Sequence, residues 1–311
     1  MAVFAPNPLM TVTLEVEGPS DGRQSIHFHA GGQGVWASGM AHTMGIEPVL
    51  VGLIGGEVGE VLRPLLASAT SGPAHLVQSA AASGCYITDR RSGERELVAM
   101  TLSDPPSRHE LDELVSLTCA EALACGWLLL TNPLPGEALP LEVYGDLVAN
   151  ARSGGCTTLV DLSPPRLNSA LRGRPEIVKV NDWELAEYVR GPVSTPDLLL
   201  EGAARLQRAG AGCVIVTRGE QPALVLDGER ALQLVPPHFE HGFREGCGDA
   251  MMGALAAGLA QGRSLERSLV LGAAAGAANF LRRGLGHASR EVVEELAGAV
   301  QLGPWPDRAA T

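Results

Sequence analysis

From Trp127 onward, short apolar runs alternate with longer amphipathic ones, and that alternation leaves few folds open. Residues 128–131, 158–161, 177–180 and 213–217 each read as a buried strand. Helical patterns fall near 141–153, in a short piece before 177, and over 196–209. Uniformly apolar short strands between helices predict a mostly parallel sheet covered on both faces. A hairpin over 223–234 and long helices over 249–261 and 265–281 follow. Upstream, 11–17 reads as the first strand, 18–22 as a turn and 24–29 as its return. Helix 34–44, strand 48–54, helix 57–67 and a hairpin of 83–89 with 94–100 come next. Sheets of this kind bind ligands at the carboxyl ends of their strands. Asn132, Asp161, Asn181 and Thr217 all stand at such ends.

Residues 246–253 read Gly-Cys-Gly-Asp-Ala-Met-Met-Gly and run straight into an Ala-rich helix. Glycines allow close backbone approach, the first amides of a helix lack partners, and the dipole adds positive charge. The amides of Gly246, Cys247 and Gly248 can therefore face an anion. Asp249, in the first turn, is placed to take a proton from a hydroxyl there. The competing reading makes Asp249 a cap and the glycines plain turn formers. Asn181 and Glu184, three apart, share one helical face. They can hold Mg²⁺ through waters or form a capping box. Asp161 either orients the site or caps a strand end.

Composition closes several routes. The only lysine is Lys179, against 22 arginines, so no Walker A loop exists. No Gly-x-Gly-x-x-Gly opens a helix after a strand. A net charge of −12 argues against a nucleic-acid partner. No apolar run reaches the ~20 residues that span a bilayer, and no signal peptide is evident. The 6 cysteines fit no zinc or disulfide framework. The expectation is a reduced, cytoplasmic protein with no membrane partner. His27 and His29, two apart on a strand, lack a third ligand and read as a polar face.

The octet resembles the Gly-Ala-Gly-Asp signature of the ribokinase-like (PfkB) carbohydrate kinases, with Cys247 for the alanine. Lys179 with Asn181 to Glu184 resembles that family's Asn-x-x-Glu stretch. Residues 214–220 resemble its nucleotide-side strand and turn, and Ala277 to Phe280 with Gly284 and Gly286 its adenine region. Gly31-Gly32-Gln33-Gly34 resembles the Gly-Gly-Lys-Gly of the 1-phosphofructokinase and tagatose-6-phosphate kinase branch. The resemblance spans roughly residues 11–300. It implies a three-layer α/β/α fold in one domain, 1–311, with ATP and Mg²⁺ as cofactors. Lys179, Asn181, Glu184, Thr217, Gly219 and Asn279 then fall on the nucleotide side, Glu184 reaching the metal through water. Thr217 and Gly219 read equally as a strand exit, and Asn279 as a helix-packing amide.

The acceptor side departs from that pattern. The branch carries Asn-Pro-Ala-x-Asp after its first strand, and residues 13–19 show neither Asn-Pro nor the aspartate. Gln33 replaces the lysine, Trp36 the sugar-binding asparagine, and Ala81-Ala82 the Thr-Arg pair that grips phosphate. Trp36 either stacks on a ring or fills core. The β lid is expected to be reduced to one hairpin around 11–30, which weakens a homodimer. The expected activity is γ-phosphoryl transfer from ATP to an alcohol of a small sugar-like molecule, uncharged or able to stack on Trp36. Gly31, Gly32, Gln33 and Trp36 would line its site. The alternatives are a standard sugar-phosphate kinase using Arg23, Arg90 or Arg91, and a nucleotide-binding regulator without turnover.

Overall fold

The computed structural model describes residues 1–17, 23–70, 72–93, 95–133, 139–282 and 288–306. The turn expected at 18–22 and the glycines Gly284 and Gly286 lie outside the described residues. The first half runs β1 (Ala2–Phe4), β2 (Leu9–Glu17), β3 (Arg23–Gly31), α1 (Gln33–Thr43), β4 (Val49–Gly55), α2 (Gly56–Thr70) and β5 (Ala74–Ser79). Then come β6 (Cys85–Asp89), β7 (Glu96–Thr101), α3 (Arg108–Cys125), β8 (Trp127–Thr131), α4 (Glu142–Ser153), β9 (Thr157–Asp161) and α5 (Arg166–Arg172). The rest is β10 (Ile177–Asn181), α6 (Asp182–Val189), α7 (Pro196–Ala209), β11 (Cys213–Arg218), β12 (Gln221–Asp227) and β13 (Arg230–Val235). It closes with α8 (Cys247–Ala260), α9 (Leu265–Phe280), α10 (Arg290–Ala297) and β14 (Gln301–Pro304).

A ten-stranded sheet has the order β14-β13-β12-β11-β10-β9-β8-β1-β4-β5. From β11 to β5 every pairing is parallel, and β12, β13 and β14 extend the sheet antiparallel. Successive strand residues feed opposite cores, as a period of two requires. Leu128 and Leu130 join one apolar cluster and Leu129 the other; Val214 and Val216 part from Ile215 in the same way. One layer holds α1, α2, α8, α9 and α10, and the other α3 to α7. This is the ribokinase-like α/β/α fold.

Two expectations need correction. Residues 11–17 are not the first strand of the main sheet; that is β1, only three residues long. The segment after it reads Ala5-Pro6-Asn7-Pro8. The Asn-Pro pair is therefore present, at 7–8, and Thr11 stands where the branch has its aspartate. The lid is also not one hairpin. β6 pairs in parallel with β2, from Met10 beside Cys85 to Leu14 beside Asp89, and so joins both hairpins into a four-stranded sheet β3-β2-β6-β7.

Candidate active site

Gly246 caps α8 with φ 76° and ψ −3°, a left-handed conformation that favours glycine, and no side chain covers the helix end. Cys247 N reaches back to Arg244 O at 3.4 Å. A Cβ at Gly248 would lie 2.7 Å from Lys179 Nζ, so the turn is pressed onto that ammonium. Lys179 Nζ in turn donates to both oxygens of Asp161, at 3.1 and 3.0 Å, with both side chains buried. Burial pulls the lysine's proton affinity down, but Asp161, Glu184 and Asp249 outweigh it and hold the ammonium above its ordinary value.

Asp249 is buried behind this turn, and its carboxyl is pushed up to about 8. Burial is the largest cause; Asp161 and Glu184 raise it further, and Lys179 opposes them. Glu184 is raised for the same reasons, desolvation first. Three carboxylates thus share one ammonium. A proton on Asp249 or an added cation relieves the excess negative charge.

Asn181 and Glu184 do form the capping box. Asn181 N donates to Glu184 Oε2 at 2.8 Å, and Glu184 N to Asn181 Oδ1 at 2.9 Å. Among the described residues no three His, Cys, Asp or Glu groups converge well enough to ligate a metal directly. The excess negative charge of Asp161, Glu184 and Asp249 over Lys179 suits a nearby cation held through water.

Lys179, Asn181, Thr217, Gly219, Cys247 and Gly248 line a cavity of about 430 Å³. Leu234, Pro236, Met251, Ala277 and Phe280 add apolar surface to the same lining. Thr217 lies in register with Asn181 on the neighbouring strand. Burial pushes the Cys247 thiol up, which keeps this side chain neutral. Asn279 is fully buried outside the lining. Its Nδ2 donates to Glu245 O at 2.8 Å and reaches Cys247 Sγ at 3.4 Å, tying α9 to the glycine turn at 246–248. The helix-packing reading of Asn279 is what the geometry supports. Nothing in residue spacing singles out Trp183, yet it is 62% exposed and lines this cavity.

A second cavity of about 450 Å³ opens between the lid and α2. Trp36, Thr11, Thr13, His27 and His29 line it, with Arg90 and Arg95 from the lid's second hairpin. The glycines serve close approach. Gly32 caps α1 at φ 114°, and a Cβ at Gly31 would meet Thr11 Oγ1 at 2.8 Å. Gln33 does not line this cavity; its Oε1 accepts from Asn132 N at 3.1 Å. Arg90 lies over the Phe243 ring, 5.6 Å from its centroid. Half-buried Arg95 is held below its ordinary value, first by burial, with Glu245 opposing and Arg90 adding to the effect. Two guanidinium groups thus repel each other at one cavity wall. Arg95 carries no local motif that spacing alone could find.

A profile of the pfkB family of carbohydrate kinases matches residues 9–291. The 1-phosphofructokinase of Rhodobacter capsulatus is 35% identical over 145 residues, 46% of each chain. ATP-dependent 6-phosphofructokinase isozyme 2 of Escherichia coli (strain K12) is 31% identical over 277 residues, 86% of this chain and 87% of that one. The crystal structure of phosphofructokinase-2 from Escherichia coli with potassium superimposes at a TM-score of 0.85 and 27% identity. That match covers 96% of this chain and 98% of the other. The chain belongs to the pfkB family of carbohydrate kinases and is an ATP-dependent sugar kinase.

Proposed function

We propose that the enzyme binds Mg²⁺·ATP in the cavity beside α8 and a small sugar in the cavity under the lid. Asp249 takes the proton of the acceptor alcohol as the γ-phosphoryl group moves. The observation that carries this reading is Asp249 itself: buried, with its carboxyl near 8, in the first turn of an uncapped, glycine-started helix. Such a carboxyl holds its proton until a positive charge stands beside it, and a Mg²⁺ ion seated near Glu184 would favour the ionised form that can accept the alcohol's proton. Glu184 and Asn181 are the residues that would face the cation's waters; Thr217, Gly219 and the turn at 246–248 would face phosphate and ribose. The apolar side chains that line this cavity would suit adenine.

The charge under the lid supports an anionic acceptor, against the expectation of an uncharged one. Arg90 and Arg95 supply the positive groups that Ala82 and Gln33 do not. The named activities of the relatives, phosphofructokinase and tagatose-1-phosphate kinase, agree with this class. The lid also carries exposed apolar side chains: Ile26, 59% exposed, alternates with His27 on β3, and Phe28, 52% exposed, borders the lid cavity as well. The lid's four strands remove the argument that a short lid weakens a dimer, and a second copy is the occupant we assign to the Ile26 face. Sedimentation of the wild-type protein and of Ile26→Asp checks it; a monomeric wild type rejects it. The activity itself is tested by screening sugars and their phosphates for ADP release with Mg²⁺ and ATP. No release with any of them would leave only nucleotide binding.

A further inference from the structure

Phosphoryl transfer needs positive charge around the moving group. The single lysine is buried and committed to Asp161, which leaves arginine as the permanently charged side chain for that task. Arg218 and Arg244 line the nucleotide cavity. Arg218 turns its Nη1 back onto the Pro222 carbonyl at 3.4 Å. Arg244 stands two residues before Gly246, next to the glycine turn. Its two neighbours face the lid: Phe243 lies under Arg90, and Glu245 is the charged partner of Arg95. Arg244 faces the nucleotide side instead, where its Nη2 meets Glu220 Oε1 at 3.1 Å. The pair is open to water, with side chains 80% and 43% exposed. An exposed pair of this kind holds its partners weakly.

Resting on the nucleotide reading above, we propose that Arg244 is a nucleotide-phosphate ligand, parked on Glu220 in the free enzyme and transferred to the terminal phosphates of bound nucleotide. A guanidinium suits this task, because its planar fork takes two phosphate oxygens at once. Glu220 is then a competitor for the same group. The segment 243–245 also touches the lid on one side and the nucleotide cavity on the other, so the cation moves at the junction of both substrates.

The test titrates Mg·ADP and adenosine by calorimetry into the wild type, Arg244→Ala, Arg244→Lys and Glu220→Gln. Arg244→Ala should weaken ADP binding roughly 10- to 100-fold and leave adenosine within about two-fold. Arg244→Lys should recover part of the loss. Glu220→Gln should tighten ADP by about two- to five-fold, because the competing carboxylate is gone. Unchanged ADP affinity in the alanine variant, or weaker ADP binding in Glu220→Gln, overturns the proposal. If the alanine variant also loses adenosine, its fold is damaged and the other two variants decide. A wild type that binds neither ligand would overturn the nucleotide reading itself, and the inference with it.

Discussion

Lys179 Nζ bridges both carboxylate oxygens of Asp161, at 3.1 and 3.0 Å, directly beneath the glycine turn that starts α8. The pair therefore packs against the glycine turn and supports it. Lys179→Met leaves Asp161 buried without its counter-charge, which costs about 3–5 kcal/mol. The same change removes the one group that lowers the Asp249 carboxyl. Denaturant unfolding should show the loss of stability, and the alkaline shift of the activity profile should show the second effect. Full stability in this variant would mean that the pair is not tight.

Asp249→Asn separates catalysis from stability. Turnover should fall by about 10²–10⁴-fold, the usual worth of a positioned base. Stability should move the other way. The folded carboxyl, at about 8, lies above the ordinary 3.8, so the native state binds this proton more tightly than the unfolded chain. Its contribution is greatest below the unfolded value and is lost as pH rises from there towards 8. Asparagine never ionises. The variant should therefore melt higher than wild type at pH 7–8 and equal it near pH 4. Thermal melts across that range read the sign directly.

The legible parts of this chain were the local ones. Strands β8 to β11 announce themselves as continuous apolar runs between helices, because both of their faces are buried. The turn at 246–249 and the Asn181–Glu184 pair are visible because their chemistry lies within four residues. β1 escapes because three residues carry no period. Its loss displaced the Asn-Pro pair by one strand. α3 escapes although Ser107 and Glu110 form a capping box, because only Leu114, Thr118 and Ala122 of its 18 residues are buried. The joining of the two lid hairpins rests on parallel pairing of β2 with β6, some 75 residues apart, which no local pattern encodes. The same distance hides Arg95 from the acceptor cavity.

Glu184→Gln tests whether the capping box also serves the cation. Glutamine can still accept from Asn181 N, so the helix cap should survive and the melting temperature should change little. The negative charge near the cation's waters is lost, so the Mg²⁺ concentration for half-maximal rate should rise. A melt that drops while the Mg²⁺ dependence stays put would assign Glu184 to capping alone.

Arg95→Ala tests the acceptor's charge. This side chain is half-buried beside a second guanidinium, so an anion entering the lid cavity would relieve their repulsion. Arg95→Ala removes one charge-assisted contact to such a group, worth roughly 1.5–3 kcal/mol, or about 10- to 150-fold. The loss should appear in kcat/KM for a phosphorylated sugar and be absent for the same sugar without phosphate. Arg90→Ala should act more broadly, because Arg90 also covers Phe243 next to the glycine turn and pairs with Glu15 at 3.7 Å. The measurement is a side-by-side comparison of fructose 6-phosphate, fructose 1-phosphate, tagatose 6-phosphate and the free sugars on wild type and both variants. A wild type that prefers the free sugars, with Arg95→Ala indifferent to phosphate, would return the acceptor to the uncharged class and leave Trp36 as its main contact.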